Sequence, residues 1–304
     1  MAEREDGAKY VDLHCHGGGG FYFSDPNPEN IRAAIDFHKH NGTALLLASL
    51  VTERIEVLHE QIERLLPFFR NGSIAGIHLE GPYLAAARCG AHNPALLKNP
   101  TLDEVGRLLD IGDGAVSMIT IAPELDGALD VISYLSKSNV LAAIGHSDGN
   151  YDDALKAVDA GASLVTHFSN GMSKLRDGAK TFATSLLYES TIPLELIIDG
   201  NHVSREDISA VVEAASDRIV FVTDAMAAAG QPDGDYTIGS LEVVVREGAA
   251  RLKSNGALAG STLTMNKAVA NARGFGISES IIKNAAQVLP QKLLDRTQIG
   301  RAHV

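Results

Sequence analysis

Short apolar runs recur along this chain at regular intervals, and the segments between them carry apolar residues at helical spacing. The runs are Val11–His14, Thr43–Val51, Ile74–Leu79, Val116–Ala122, Val140–Gly145, Ser163–Thr166, Leu194–Ile198 and Arg218–Thr223. Between them Ile31, Ala34, Ile35 and His38 share one helical face, as do Ile55, Leu58, Ile62, Leu65, Leu66 and Phe69, and then Ile208, Val211, Val212 and Ala215. Helix starts agree with this division: Asn27 precedes Pro28, Thr101 stands three residues before Glu104, and Ser204 precedes Asp207. A strand that is apolar on both faces must be covered on both, so it belongs in a parallel sheet flanked by helices. Eight such strand–helix units are the number that closes a sheet on itself, so the pattern predicts an α/β fold, a (β/α)8 TIM barrel over residues 11–293.

Residues 236–254 break the pattern. Leu241, Val243 and Val245 alternate ahead of Arg246-Glu247-Gly248, which predicts a β-hairpin inserted after the eighth strand. Ser261–Ala272 and Ser278–Leu293 read as closing helices, leaving residues 1–10 as an N-terminal remnant and 294–304 as an atypical tail. At 304 residues and 45% hydrophobic content the chain can bury a large core. No stretch reaches the ~18 uninterrupted apolar residues of a membrane span, and the charged start Met1–Lys9 lacks the apolar segment of a signal peptide, so a cytoplasmic location without membrane contact is expected. Two cysteines, Cys15 and Cys89, make no disulfide framework. A formal charge of −12 without a Lys/Arg cluster argues against nucleic acid as a partner.

In such a barrel the working residues stand at the C-terminal ends of the strands. Six of the eight runs deliver a histidine or a carboxylate there: His14-Cys15-His16, His78-Leu79-Glu80, Gly145-His146-Ser147, Thr166-His167, Asp199-Gly200-Asn201-His202 and Thr223-Asp224. Residues i and i+2 of a strand point the same way, so His14 and His16 present two imidazoles together. Imidazoles with a carboxylate suit zinc or another divalent metal, and a catalytic site needs about three protein ligands. Glu80, His146 and His167 could supply them. His14 and His16 could hold a second ion near Glu80 or stand as polar groups beside a single ion, and Asp224 is then a carboxylate left over to take a proton from the metal's water. The competing reading makes each histidine a hydrogen-bonded core residue and Asp224 a turn cap. It is weakest at Glu80, because an unpaired acid after Gly-Ile-His-Leu in a closed barrel costs several kcal/mol.

Taken together, the motifs His-x-His, His-Leu-Glu-Gly-Pro, Gly-His-Ser, Thr-His-x-x-Asn-x-Met, Asp-Gly-x-His and Val-Thr-Asp-Ala resemble those of the N-acetylglucosamine-6-phosphate deacetylases of the amidohydrolase superfamily, over Val11 to about Ala272. The resemblance implies a metal-dependent hydrolase that converts N-acetyl-D-glucosamine 6-phosphate to D-glucosamine 6-phosphate and acetate, in amino-sugar catabolism and cell-wall recycling. It implies Glu80, His146 and His167 as the main ligands, with His14 and His16 for a possible second ion, and Asp224 with His202 as catalytic residues. It further implies substrate contacts from Ala91, His92, Asn170, Gly171, Arg176 and His202. Zinc is the expected metal, one or two ions per subunit, with iron or another divalent ion as the substitute. A homodimer completing the phosphate pocket is expected, with Arg176 and His92 at the junction.

The chain departs from that family in one respect. Its members carry a small β-sandwich built from both ends of the sequence, and here it is largely missing, which predicts exposed apolar surface. Two other functions stand beside the main one: an amidohydrolase acting on another N-acyl or cyclic amide, and a truncated, inactive sugar-phosphate binder.

Overall fold

The computed structural model describes residues 10–298. Eight parallel strands form one sheet: β1 (Tyr10–Cys15), β2 (Thr43–Val51), β3 (Gly76–Glu80), β4 (Val116–Ile121), β5 (Leu141–Ile144), β6 (Leu164–Val165), β7 (Leu194–Ile197) and β8 (Ile219–Val222), each paired with the next in chain order. The crossovers are helices: α1 (Pro28–His40), α2 (Ile55–Arg70), α3 (Leu102–Gly112), α4 (Ala128–Lys137), α5 (Tyr151–Ala160), α6 (Phe182–Tyr188) and α7 (Arg205–Ala215). The expected helix starts are present. The side chains of Asn27, Thr101 and Ser204 accept the main-chain N–H of Glu29, Glu104 and Asp207, satisfying amides that have no partner inside the helix.

β8 returns beside β1 and nearly closes the barrel. Cys15 bridges Ala225 in parallel, and the Asp224 N–H donates to the His14 carbonyl at 2.8 Å. Asp12, the one acid inside the first strand, fastens this seam: its carboxylate accepts from the Thr223 hydroxyl at 2.6 Å and the Thr223 N–H at 3.2 Å. Burial pushes the Asp12 carboxyl up to about 7 in spite of these donors.

The strands alternate between two apolar layers. In β4, Ile119 and Ile121 join the cluster that holds the helices, while Met118 joins a second cluster with Leu47, Leu141, Ala143 and Ile197. Thr120, on the Met118 side but nearer the C-terminal rim, instead bonds the His78 imidazole at 2.8 Å. Polarity therefore begins where the strands end, which is where the site lies.

The excursion after β8 is larger than a hairpin. It is a three-stranded antiparallel sheet of β9 (Gly234–Ile238), β10 (Leu241–Arg246) and β11 (Ala249–Leu252), with the expected turn at Glu247-Gly248, both in the left-handed region at φ 52° and 74°. Its apolar face buries Ile238, Val243, Val245 and Leu252, and Tyr22, Val51 and Ala91 from the barrel rim pack against that cluster. Three helices follow, α8 (Met265–Gly274), α9 (Glu279–Lys283) and α10 (Leu289–Gln298). α10 packs against β1 and β8 and buries Leu293, Leu294 and Thr297, so it continues through the first five residues expected in the tail. The rest of that tail and residues 1–9 lie outside the described residues, among which no β-sandwich accompanies the barrel. No helix of the described residues is long and apolar enough to cross a membrane.

Candidate active site

Strand ends deliver the site as the alternation demands. His14 and His16 leave β1 on one face, and Cys15 points the other way to meet the His38 ring at 3.2 Å. Glu80 is the last residue of β3. Beyond β5, β6 and β8 the backbone turns sharply, and His146, His167 and Asp224 adopt left-handed conformations with φ of 47°, 24° and 48°. Such conformations cost an L residue about 1–2 kcal/mol, and each here turns a ligand-type side chain out of the strand direction toward the barrel axis.

Glu80 is the hub. Its Oε1 lies 2.9 Å from His167 Nε2, 3.1 Å from His146 Nε2 and 3.5 Å from His14 Nε2. Its Oε2 lies 3.1 Å from His16 Nε2 and 3.3 Å from His92 Nε2. Asp224 Oδ1 stands 3.3 Å from His16 Nε2 and 3.4 Å from His14 Nε2. All seven side chains are buried. His92, expected as a substrate contact and at the dimer junction, thus stands inside the ligand cluster.

Three imidazoles have their tautomer fixed from behind. His14 Nδ1 donates to Glu195 Oε2 at 3.2 Å, His16 Nδ1 to the Ser49 carbonyl at 3.3 Å and His146 Nδ1 to the Arg88 carbonyl at 2.7 Å. Each of these rings therefore turns its Nε2 to the centre. That chemistry fits a divalent metal: with bonds of about 2.0–2.1 Å, donors on a tetrahedron stand roughly 3.3 Å apart. The two His, Glu and Asp sets that converge here, His14-His16-Glu80-Asp224 and Glu80-His92-His146, share Glu80. Either set could hold a metal ion, as could the expected set of Glu80, His146 and His167, whose two Nε2 atoms stand 3.0 Å apart.

The charges support one another. Burial would raise the Glu80 carboxyl, but the imidazoles of His14 and His92 hold it well below the usual carboxylate range. Burial likewise opposes ionisation of Asp224, and His14 and His16 bring it down to about 2. His14 and His16 are raised in turn, against their own burial, by Glu80 and Asp224. His92 goes the other way: burial outweighs Glu80 and lowers it to about 4.

Above the hub is a cavity of about 250 Å3, lined by Glu80, Ala91, His92, His146, His167 and Asp224 together with Asn170, Gly171 and His202. His202 Nδ1 donates to Asp199 Oδ2 at 2.7 Å, which aims the ring. Arg176 is not in this company. Its side chain is 66% exposed and its guanidinium pairs with Asp207 at 2.9 Å, because the short 3-10 turn at Leu175–Asp177 directs it toward the start of α7. Two residues escaped the sequence reading. Glu195, fully buried in β7, holds His14 and also accepts the His167 N–H at 3.1 Å, while its Oε1 has no partner. An acid inside an apolar run was the signal available for it, whereas Glu80 stood out as an acid directly after one. Lys174 lines the cavity, and no periodicity in its loop marks it.

No family model matches the chain. It is 33% identical over 290 residues to an N-acetylgalactosamine-6-phosphate deacetylase of Escherichia coli, covering 94% of this chain and 77% of that protein. It is 31% identical over 265 residues to an N-acetylglucosamine-6-phosphate deacetylase of Vibrio furnissii, covering 86% of this chain and 66% of that one. Among solved structures, a mutant N-acetyl-D-glucosamine-6-phosphate deacetylase of Mycobacterium smegmatis in complex with N-acetyl-D-glucosamine 6-phosphate superposes with a TM-score of 0.89 at 39% identity, covering 95% of this chain and 77% of that one. Shared sequence and a shared barrel lead to one assignment: this chain belongs to the amino-sugar-6-phosphate deacetylase family.

Proposed function

We propose that the protein hydrolyses the acetamide of N-acetyl-D-glucosamine 6-phosphate, with zinc as its metal, in amino-sugar catabolism. The observation that carries this is the convergence of His146 and His167 on one oxygen of Glu80 with Asp224 across the same cluster. Glu80, His146 and His167 would hold the main ion, and His14 and His16 a second. A metal there supplies Lewis acidity to the acetyl carbonyl and to the attacking water. Asp224, ionised at neutral pH, takes the water's proton and hands it to the departing sugar amine. His202, whose ring is oriented by Asp199, polarises the acetyl carbonyl. Ala91, Asn170 and Gly171 bound the space left for the sugar. A homodimer is part of the proposal.

The C4 epimer is the second reading, favoured by the 33% identity to the galactosamine enzyme. The test is acetate release by zinc-loaded protein from each epimer, beside Asp224→Asn. A higher kcat/KM on the glucosamine compound, abolished in the variant, supports the proposal. A preference for the galactosamine compound selects the second reading, and no acetate from either leaves a sugar-phosphate binder.

A further inference from the structure

The imidazole of His78 belongs to the His-Leu-Glu-Gly-Pro motif, yet no step of the proposed chemistry uses it. His78 and Glu80 are two residues apart on β3, so both face the barrel axis, with His78 one level below the hub. It is fully buried, and its ring stands edge-on to that of His14 with the centroids 4.6 Å apart. Around it the axis changes character. Leu47 and Met118 belong to the apolar cluster of the barrel interior, but two residues further along the same strands stand the hydroxyls of Ser49 and Thr120, both buried. Hydrogen-bonded groups of this kind add little to stability over apolar groups of the same shape, whereas their directionality fixes where the strands stand.

Both ring nitrogens are engaged. Nδ1 lies 2.9 Å from Ser49 Oγ and Nε2 2.8 Å from Thr120 Oγ1, which in turn lies 2.8 Å from Thr166 Oγ1. One line of hydrogen bonds thus runs under the hub from β2 through β3 and β4 to the end of β6. Its two ends meet the segments that carry the histidines. Ser49 Oγ accepts the N–H of Cys15 at 3.0 Å, between His14 and His16, and the Ser49 carbonyl accepts Nδ1 of His16 at 3.3 Å. Thr166 directly precedes His167, where the backbone turns out of the strand at φ 24°. We infer that His78 is a positioning residue: its two hydrogen bonds tie the strand of His14 and His16 to the strand of His167, and so hold the histidines at the spacing a divalent ion needs. The inference rests on the reading of the cluster as a metal centre.

The experiment compares wild type, His78→Phe, His78→Gln, Thr120→Val and Thr120→Ser. It measures zinc affinity by competition with a chromophoric chelator, the visible spectrum of the cobalt-loaded protein and the urea stability of the metal-free protein. His78→Phe keeps a ring and loses both hydrogen bonds, so zinc should bind roughly 10- to 100-fold more weakly and the cobalt bands should change in position or intensity. His78→Gln, which keeps a donor and an acceptor, should recover part of the affinity. Thr120→Val should act in the same direction as His78→Phe and Thr120→Ser should match wild type, which keeps the test intact if His78→Phe fails to fold. Wild-type zinc affinity and cobalt bands in His78→Phe or in Thr120→Val overturn the assignment, whatever happens to stability, and there the metal reading survives. So does a loss in Thr120→Val that Thr120→Ser does not recover. A wild type that takes up neither zinc nor cobalt brings down both.

Discussion

Gly171 stands where a single methyl group should dislodge a metal ligand. It adopts φ +59°, and a Cβ there would lie 2.8 Å from His146 Nδ1 and 3.2 Å from Cε1. Ordinary contact begins near 3.4 Å, so the ring must retreat by several tenths of an ångström. It has nowhere to go without loss, because Nδ1 is held 2.7 Å from the Arg88 carbonyl and Nε2 3.1 Å from Glu80. Gly171→Ala therefore carries two costs: about 1 kcal/mol for an L residue in the left-handed region, and about 1 kcal/mol for the weakened His146 hydrogen bond. Gly72 separates them, having φ +74° and nothing within 4 Å of its added Cβ, so Gly72→Ala carries only the first. Urea denaturation of the metal-free proteins should show Gly171→Ala about 2 kcal/mol less stable than wild type and Gly72→Ala about 1 kcal/mol less stable. Zinc titration against a chromophoric chelator should show roughly 10- to 100-fold weaker binding in Gly171→Ala alone. Equal stability losses with unchanged zinc affinity in both variants would refute the reasoning.

Glu195→Ala frees the Nδ1 of His14 to turn, so zinc binding should weaken about 10- to 100-fold, with partial recovery in Glu195→Gln; stoichiometry and affinity equal to wild type would show that the carboxylate only fills space. Asp199→Asn puts a neutral amide in place of the carboxylate behind His202, so kcat should fall on the order of 100-fold while metal content stays constant, and an unchanged kcat would show that His202 does not polarise the acetyl carbonyl. His38 is held neutral by burial, lowered from 6.5 to about 4. A histidine lowered on folding contributes stability that is full above its ordinary value and lost as pH falls toward the folded one, about 3 kcal/mol in all at 1.36 kcal/mol per pK unit. Between pH 7 and 5 wild type should thus lose about 2 kcal/mol more than His38→Gln, and parallel stability curves would contradict the assignment.

The barrel could be read from the chain because its strands are buried on both faces, so they appear as apolar runs whatever their length. Thr43–Val51 matches β2 at both ends. Ser163–Thr166 shrinks to Leu164–Val165, since the backbone leaves the ladder at His167 with φ 24°. β9 was missed for the opposite reason. Only one face of Gly234–Ile238 is covered, its residues alternate half-buried and exposed, and Asp235 and Thr237 make it resemble a loop. The apolar pattern of the last helix reads as ending at Leu293, although Leu294 and Thr297 are buried against the same core.

The ligands were visible because a polar residue directly after an apolar run is costly unless it has work to do. Position within the run changes that inference. Glu195 is the second residue of β7, and in a linear reading it looks like a lapse in hydrophobicity, whereas in space it stands behind His14, which is 181 positions away. Cations are harder still. Lys174 and Arg176 share one loop and one charge, yet only Lys174 lines the cavity of its own chain, while Arg176 turns outward to pair with Asp207 at the start of α7. The backbone at His146, His167 and Asp224 leaves no trace in the sequence, since nothing in an L residue announces a positive φ. Yet the geometry requires it. Alternation along a strand sends a side chain either to the axis or to the helices, at a height fixed by the register, and three groups from three strands cannot all reach Glu80 or its histidines that way. Breaking the strand at the residue that must reach inward places the strain, about 1–2 kcal/mol at each position, where the chemistry is, and the barrel beneath holds it there.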